Sequence, residues 1–129
     1  MGRPVVHFEI IGSDPARLQG YYGEVFDWEF QPGDAVSEKV SQPGAYGFVD
    51  GSTTGGINGG VGGGQGHQSR VLFYVGVPDV ESALRKAESL GGERLMGPEP
   101  ESGDFTVGRF ADPEGNVIGV AGPSARESR

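Results

Sequence analysis

The sequence contains no cysteine and only two histidines among its 129 residues. Without cysteine there is no disulfide framework, no thiolate nucleophile and no cysteine-ligated metal site, which is typical of a protein from a reducing compartment. No run of 18 apolar residues occurs, and the first residues lead into a strand-like pattern rather than an apolar leader. We therefore expect a cytoplasmic protein that does not associate with membranes.

Basic residues are scarce as well. Ten Lys and Arg stand against 18 Asp and Glu, which gives a formal net charge of −8. A negative surface of this kind repels phosphate backbones and anionic lipid, so nucleic acid and membrane surfaces are not expected as partners. The charge favours a positively charged small molecule instead. The length accommodates one domain, or two small halves that share a core.

Glycine is abundant, with 25 residues in the chain and nine of them between Gly51 and Gly66. This stretch has no Gly-X-Y period, which excludes collagen. It also lacks the Gly-Lys-Ser/Thr ending of a P-loop and precedes a predicted strand rather than a helix, so it does not predict a phosphate site. We interpret residues 62–69 as a glycine-rich linker.

Hydrophobic spacing predicts two similar series of strands and helices. The first series is a strand over 5–11, a helix from Pro15 to Phe26 with Asp14 as its N-cap, and further strands at 28–30, 36–40 and 45–50. The second series is a strand over 70–75, a helix over 80–90, a strand at 94–96 and a hairpin of strands 105–111 and 116–120. Residues 122–129 are expected to form a polar tail.

A shift of 65 residues superimposes the two series, and it places Phe8 on Phe73 and Asp14 on Asp79. The sequence therefore predicts an α+β fold of two βαβββ modules, about 5–61 and about 70–120, in one domain over residues 1–121. The two modules would pair their sheets around a concave cavity, with the helices outside.

Alternation along the first strand divides its side chains between two faces. Val6, Phe8 and Ile10 would face the helices, whereas His7 and Glu9 would line the cavity; a solvated strand face is the alternative for these two. Core packing is the alternative for Trp28 and Phe48. The candidate cavity residues are His7, Glu9, Trp28, Phe48, Gly59, Leu72, Tyr74 and Gly119.

Two motifs strengthen this interpretation: the helix start Asp14-Pro15 and the late turn that runs from Asp112 through Pro113, Glu114 and Gly115 to Asn116. With the repeat, they resemble the vicinal oxygen chelate superfamily, which has the glyoxalase/bleomycin-resistance/dioxygenase fold. The run from Gly55 to Gly60 is similar to that of its glycine-rich, glyoxalase-like members. The resemblance covers residues 5–121 and implies a homodimer.

The resemblance also implies where a metal would be bound. In metal-dependent members, His or Glu occupies four inward positions, which fall here on His7, Leu72, Gly59 and Gly119. Only His7 can ligate, and Glu9 could join it, but a site of this kind needs about three protein ligands. His67 lies in the glycine-rich linker. We therefore predict no metal and no other cofactor.

Three functions are consistent with these features. The first is a metal-free small-molecule binding protein, like bleomycin-resistance members, which would take a planar cation against aromatic rings and a carboxylate. The alternative is an enzyme, either a glyoxalase- or dioxygenase-like one with a displaced metal site or a metal-free one in which His7 and Glu9 supply acid–base catalysis. A non-catalytic module whose sheet edges join two chains is the third.

Overall fold

We analysed a computed structural model that describes residues 2–32, 37–101 and 105–123. The chain divides into two compact units. We call residues 7–71 the His7 unit, and residues 1–6 together with 72–129 the Tyr74 unit. Strands and helices are both well represented, which confirms the predicted α+β class.

The described residues contain eight strands and three helices. In chain order these elements are β1 (Val5–Gly12), α1 (Pro15–Phe26), β2 (Gln31–Pro32), β3 (Gly47–Val49), α2 (Gly51–Thr54), β4 (Asn58–Gly63), β5 (Arg70–Gly76), α3 (Val80–Ser89), β6 (Glu93–Glu101), β7 (Phe105–Ala111) and β8 (Val117–Pro123). Apart from the short helix α2, this order repeats the pattern βαβββ twice, as the 65-residue offset predicts.

In the His7 unit the strands lie in the order β2-β3-β4-β1. β4 pairs with β1 in parallel and with β3 antiparallel. Four of the six residues of β4 are glycine, and five of the six are buried. The glycine-rich stretch therefore contributes a buried central strand, and the segment interpreted as a linker is irregular only after Gly63.

Helix α1 begins as the sequence predicts. Asp14 accepts a hydrogen bond from the backbone N–H of Arg17 at 3.2 Å, and Pro15 occupies the first turn. No residue of α1 is fully buried. Gln19 links the helix to the sheet, since its Nε2 donates to the carbonyl oxygens of Ala45 at 3.0 Å and Val61 at 2.8 Å.

In the Tyr74 unit the strands lie in the order β5-β8-β7-β6. Helix α3 is capped by Asp79, and it packs Val80 and Leu84 against Val120 of β8 to form the core of this unit. The helix exposes its charged face, where Glu81 pairs with Arg94 of β6. This matches the apolar stripe that the sequence predicts for 80–90.

Several predicted boundaries were wrong. Residues 28–30 form a loop, and the short strand β2 comes directly after them. Ser37–Val40 form a turn closed by a bond from the Val40 N–H to the Ser37 carbonyl, while Val36 lies outside the described residues. β6 is longer than the predicted strand at 94–96, and β8 continues into the predicted tail as far as Pro123. The rest of that tail, 124–129, lies outside the described residues.

None of the helices that the structure describes has the length and apolar composition needed to cross a bilayer.

Candidate functional site

Three polar side chains of the His7 unit form a continuous hydrogen-bonded chain. The hydroxyl of Tyr46 donates to Oε2 of Glu9 at 2.9 Å, and the same hydroxyl lies 2.9 Å from Nε2 of His7. Glu9 is only 3% exposed and Tyr46 8% exposed, whereas His7 is half-buried. The carboxylate and the imidazole are thus joined through the phenol.

The direction of these bonds assigns the tautomer of His7. A phenol has one proton, and Tyr46 gives it to Glu9, so the phenol oxygen accepts the bond from the Nε2–H of His7. Burial lowers the pKa of His7, and the nearby negative charge of Glu9 offsets part of that effect. The lowered pKa favours the neutral imidazole, with its proton on Nε2.

Three further rings lie near the imidazole: that of its neighbour Phe8, with ring centres 6.4 Å apart, and those of Tyr46 and Phe48. The ring centres of His7 and Tyr46 are 6.5 Å apart with their planes at 15°, and those of His7 and Phe48 are also 6.5 Å apart, at 21°. Rings that are nearly parallel at this separation lie side by side rather than face to face. Together the rings of His7, Tyr46 and Phe48 form a wall, in which Phe48 is half-buried.

Gly60 allows this arrangement. It pairs with Glu9 across β1 and β4 and with Phe48 across β3 and β4, so it lies on the same face as both. A Cβ at this position would stand 2.1 Å from the ring of Tyr46. We call His7, Glu9, Tyr46, Phe48 and Gly60 the polar face of the His7 unit.

Gly59 lies on the opposite face, which corrects its expected position. It pairs with Phe8, and a Cβ there would be 2.0 Å from that ring. In the Tyr74 unit the corresponding pair is Tyr74 with Gly119, so the register equates Gly119 with Gly60. The positions that the resemblance gives to metal ligands set Gly119 against Gly59 instead, and a slip of one residue moves a side chain to the other face of a strand.

The structure also separates Trp28 from the polar face. The Trp28 ring lies 5.0 Å from that of Phe8, which alternation places on the other side of β1, and it also contacts Tyr22, Phe26 and Phe30. Trp28 therefore packs with the aromatic residues of α1, where it is half-buried.

The remaining candidates, Leu72, Tyr74 and Gly119, belong to the Tyr74 unit. Leu72 and Tyr74 are 4% and 3% exposed, and the Tyr74 ring lies directly over Gly119. The hydroxyl of Tyr74 accepts a bond from Nε of Arg109 at 3.2 Å, and Arg109 is itself buried. A buried cation and a phenol thus share this face of the Tyr74 unit's sheet.

Sequence reasoning missed Tyr46 and Arg109. Tyr46 could have been found, because it stands two residues before Phe48 in a segment with strand-like alternation, which places both rings on one side. Arg109 lies two residues after Val107 in β7, on the same face of the strand, and both are buried. A buried arginine is unfavourable unless it has partners. Neither residue belongs to a recognisable motif.

The donor set does not fit the divalent metal of metal-dependent relatives. Nε2 of His7 and Oε2 of Glu9 are both engaged with the phenol of Tyr46. Among residues 2–32, 37–101 and 105–123, no three His, Asp or Glu side chains come together closely enough to hold an ion. The position that the resemblance gives to a further ligand, Gly59, carries no donor and lies on the other face.

Comparison with solved structures shows the same fold in proteins of very different sequence. A hypothetical protein from Bacillus halodurans C-125 matches with a TM-score of 0.68 at 10% identity, covering 96% of each chain. Methylmalonyl-CoA epimerase from Streptomyces coelicolor matches with a TM-score of 0.65 at 15% identity, covering 95% of this chain and 96% of the epimerase. The corresponding epimerase from Mycobacterium tuberculosis gives 0.62 at 12% identity, with 96% and 90% covered.

No curated protein sequence matches the chain. The family model of the glyoxalase-like domain, however, matches residues 7–121, which is nearly the whole sequence. Together with the repeated βαβββ order, this match establishes that the chain belongs to the glyoxalase-like domain family of the vicinal oxygen chelate superfamily.

Proposed function

We propose that this chain is a metal-independent small-molecule binding protein, and that its polar face takes a planar, positively charged compound. The observation that carries the proposal is the wall of rings around His7 with a buried carboxylate bonded behind it. A planar ligand would lie against the rings of His7 and Phe48, and its positive charge would be directed towards Glu9.

The charge distribution supports a cation. The His7 unit contains eight acidic and only three basic residues, so it carries −5 of the total charge of −8. A field of this sign concentrates cations near the unit and repels anions. Aromatic rings add to this preference, because a cation over a ring face gains about 0.5–1 kcal/mol at an exposed site and more when it is desolvated.

The bonding within the site also favours binding over metal chemistry. Tyr46 holds Glu9 and His7 in place before any ligand arrives, since its hydroxyl is bonded to both. A preorganised site loses less conformational entropy when a ligand binds. Relatives of this fold bind small molecules, as the complex of methylmalonyl-CoA epimerase with methylmalonyl-CoA shows for that protein.

The binding proposal is tested by thermal unfolding with three planar probes: the cation proflavine, neutral anthracene-9-methanol and anionic anthracene-9-carboxylate. A ligand that binds only the folded state raises the unfolding midpoint. We expect proflavine to raise it and the anion to leave it unchanged. In Phe48→Leu, proflavine affinity should fall about fivefold, because the ring is lost while the apolar volume is largely kept.

Phe105→Leu is the matched control, since Phe105 is an exposed ring in the Tyr74 unit. It should bind proflavine as the wild type does. If the anion binds as tightly as proflavine, or if both leucine variants lose affinity equally, the polar face is not a cation site.

A second function is favoured by the chain His7–Tyr46–Glu9 itself. A neutral imidazole can accept a proton, and the carboxylate linked to it through the phenol stabilises the positive charge that results. Removal of a proton from a carbon next to a carbonyl requires a base of this kind. In this candidate function His7 is the base, Glu9 stabilises the imidazolium and Tyr46 positions both.

The catalytic candidate is tested with methylmalonyl-CoA in D₂O, by measuring the loss of the proton next to the thioester carbonyl with NMR. Exchange that is faster than the uncatalysed rate and is abolished in His7→Gln would favour the enzyme. Exchange at the uncatalysed rate would leave binding as the function.

A further inference from the structure

A groove in the Tyr74 unit, distinct from the polar face, lies between α3 and the side of the sheet that the helix covers. Its volume is about 580 Å³, which is within the usual range for small-molecule pockets of about 300–1,000 Å³. We call it the α3 groove. Val77, Ala83 and Phe110 form part of its lining.

The floor of the α3 groove is the outer layer of the core. Val77, Ala83 and Phe110 pack against the buried core of the unit but are themselves only half-buried. Leu90, at the end of α3, also lines the groove and is 70% exposed. A ligand with an apolar body would remove this surface from water, which is the main driving force for binding in such pockets.

Two cations border the same groove. Arg3 and Lys86 line it, and neither charged group makes a hydrogen bond or an ion pair with any residue that the structure describes. This contrasts with Arg85 and Arg94 near by, which are paired with Glu81. The charged groups of Arg3 and Lys86 are therefore available to a ligand in the groove.

The two carboxylates of the groove keep their negative charge, but their oxygens accept bonds from neutral donors of neighbouring residues, and neither is paired with Arg3 or Lys86. Asp79 caps α3 and accepts bonds from the N–H of Glu81 at 3.1 Å and the hydroxyl of Ser82 at 2.9 Å. Asp112 accepts bonds from the N–H of Glu114 and from the backbone and side chain of Asn116, each at 2.9 Å. The bonds from Asn116 hold the pKa of Asp112 below its usual range.

From this combination we propose that the α3 groove binds an amphipathic carboxylate. The apolar body of the ligand lies on Val77, Ala83 and Phe110, and its carboxylate is held by Lys86 and Arg3. This ligand has the charge opposite to the one proposed for the polar face, so the two sites are distinguished by their ligands as well as by their positions.

The test uses the fluorescent anion 8-anilinonaphthalene-1-sulfonate, displaced by octanoate or by octylammonium, which has the same chain length and the opposite charge. We expect octanoate to displace the probe and octylammonium at equal concentration not to. Lys86→Glu should weaken octanoate binding about fivefold, since it removes one attraction and adds one repulsion at an exposed position. Leu90→Asp, which places a charge at the groove rim, should weaken it as well.

Arg17→Glu is the control, because it makes the same change of charge at an exposed position of α1 in the His7 unit. It should bind octanoate as the wild type does, and cooperative unfolding by circular dichroism verifies that each variant is folded. The proposal is overturned if octylammonium competes as well as octanoate, or if Lys86→Glu and Arg17→Glu behave alike.

A second copy of the chain is the competing occupant of the groove. If sedimentation equilibrium shows a wild-type dimer that Leu90→Asp converts to a monomer, and octanoate does not displace the probe, the groove is a subunit interface and the proposal is wrong. The proflavine test of the polar face uses other residues and a ligand of the other charge, so either proposal can fail while the other stands.

Discussion

At single positions, the structure is defined by aromatic rings that lie directly on glycine. Tyr46 covers Gly60, Phe8 covers Gly59 and Tyr74 covers Gly119, and a Cβ at any of these glycines would stand 2.0–2.4 Å from the ring. Such contacts leave no space for a side chain. The glycines of the central strands are therefore required by packing rather than by flexibility.

Gly60→Ala tests this requirement. The added methyl group must displace the ring of Tyr46, so we expect the free energy of unfolding to fall by about 1–3 kcal/mol, as in other overpacked cores. Gly20→Ala is the control, because a Cβ at this helical position meets nothing within 4 Å. It should stabilise the protein by about 0.5–1 kcal/mol through helix propensity. Equal stabilities of the two variants in urea would contradict the packing argument.

The pKa of His7 gives a second test at this scale. In a His67→Gln background, NMR of the single remaining imidazole should show a pKa below the ordinary value of about 6.5. Glu9→Gln should lower the pKa of His7 further, since it removes the charge that offsets the effect of burial. A rise of the His7 pKa in Glu9→Gln would contradict this account, because it would mean that Glu9 disfavours the protonated imidazole.

The same pKa shift predicts how stability depends on pH. Because the folded protein binds the proton of His7 less readily than the unfolded chain does, the contribution of His7 is fully present above about pH 6.5. It is lost as the pH falls from there towards the folded pKa. The free energy of unfolding in urea should therefore fall more steeply with decreasing pH in the His67→Gln background than in the His7→Gln, His67→Gln double variant within this window.

At the scale of helices and strands, the sequence predicted most clearly the elements with an unambiguous period. β1, β5 and α3 were found because their apolar residues alternate or recur at helical spacing. β4 was not, because glycine has no strand propensity and its position depends on rings contributed by β1 and by Tyr46. A strand stabilised by residues distant in the sequence carries no local signal.

The site was predictable to the same extent. His7 and Glu9 were identified from the alternation of β1, and the structure places them on one face with Phe48. The sequence placed Gly59 and Trp28 on the wrong face. The position of Gly59 depended on an alignment that was wrong by one residue, and that of Trp28 on a strand at 28–30 that does not form. Tyr46 required knowledge of the pairing between β3 and β4.

Gln19 tests how α1 is attached. Since no residue of α1 is fully buried, its position depends strongly on the two bonds from Gln19 to the backbone carbonyls of Ala45 and Val61. Gln19→Ala leaves both carbonyls without this donor, and we expect a loss of about 1–3 kcal/mol in urea unfolding. Glu24→Ala, at an exposed position of the same helix, should change stability by less than about 0.5 kcal/mol. Similar losses in both variants would show that Gln19 is not a specific tether.

For the molecule as a whole, membership in the glyoxalase-like domain family rests on the match over residues 7–121 and on the repeated βαβββ order. The family does not determine the ligand, because structural relatives at 10–15% identity share the fold alone. The homodimer and the cytoplasmic location stay predictions. The feature of this chain that bears most on its ligand is a polar face in which Nε2 of His7 and Oε2 of Glu9 are bonded to Tyr46.

Metal-independent binding of a planar cation at this face is tested most directly by calorimetric titration of proflavine into the purified protein, with and without EDTA. We predict the same dissociation constant in both conditions, and about tenfold weaker binding by Glu9→Gln, which removes the charge and keeps the shape. Binding that disappears in EDTA and returns when stoichiometric Ni²⁺, Zn²⁺, Fe²⁺ or Mn²⁺ is added would contradict it, as would unchanged affinity in Glu9→Gln.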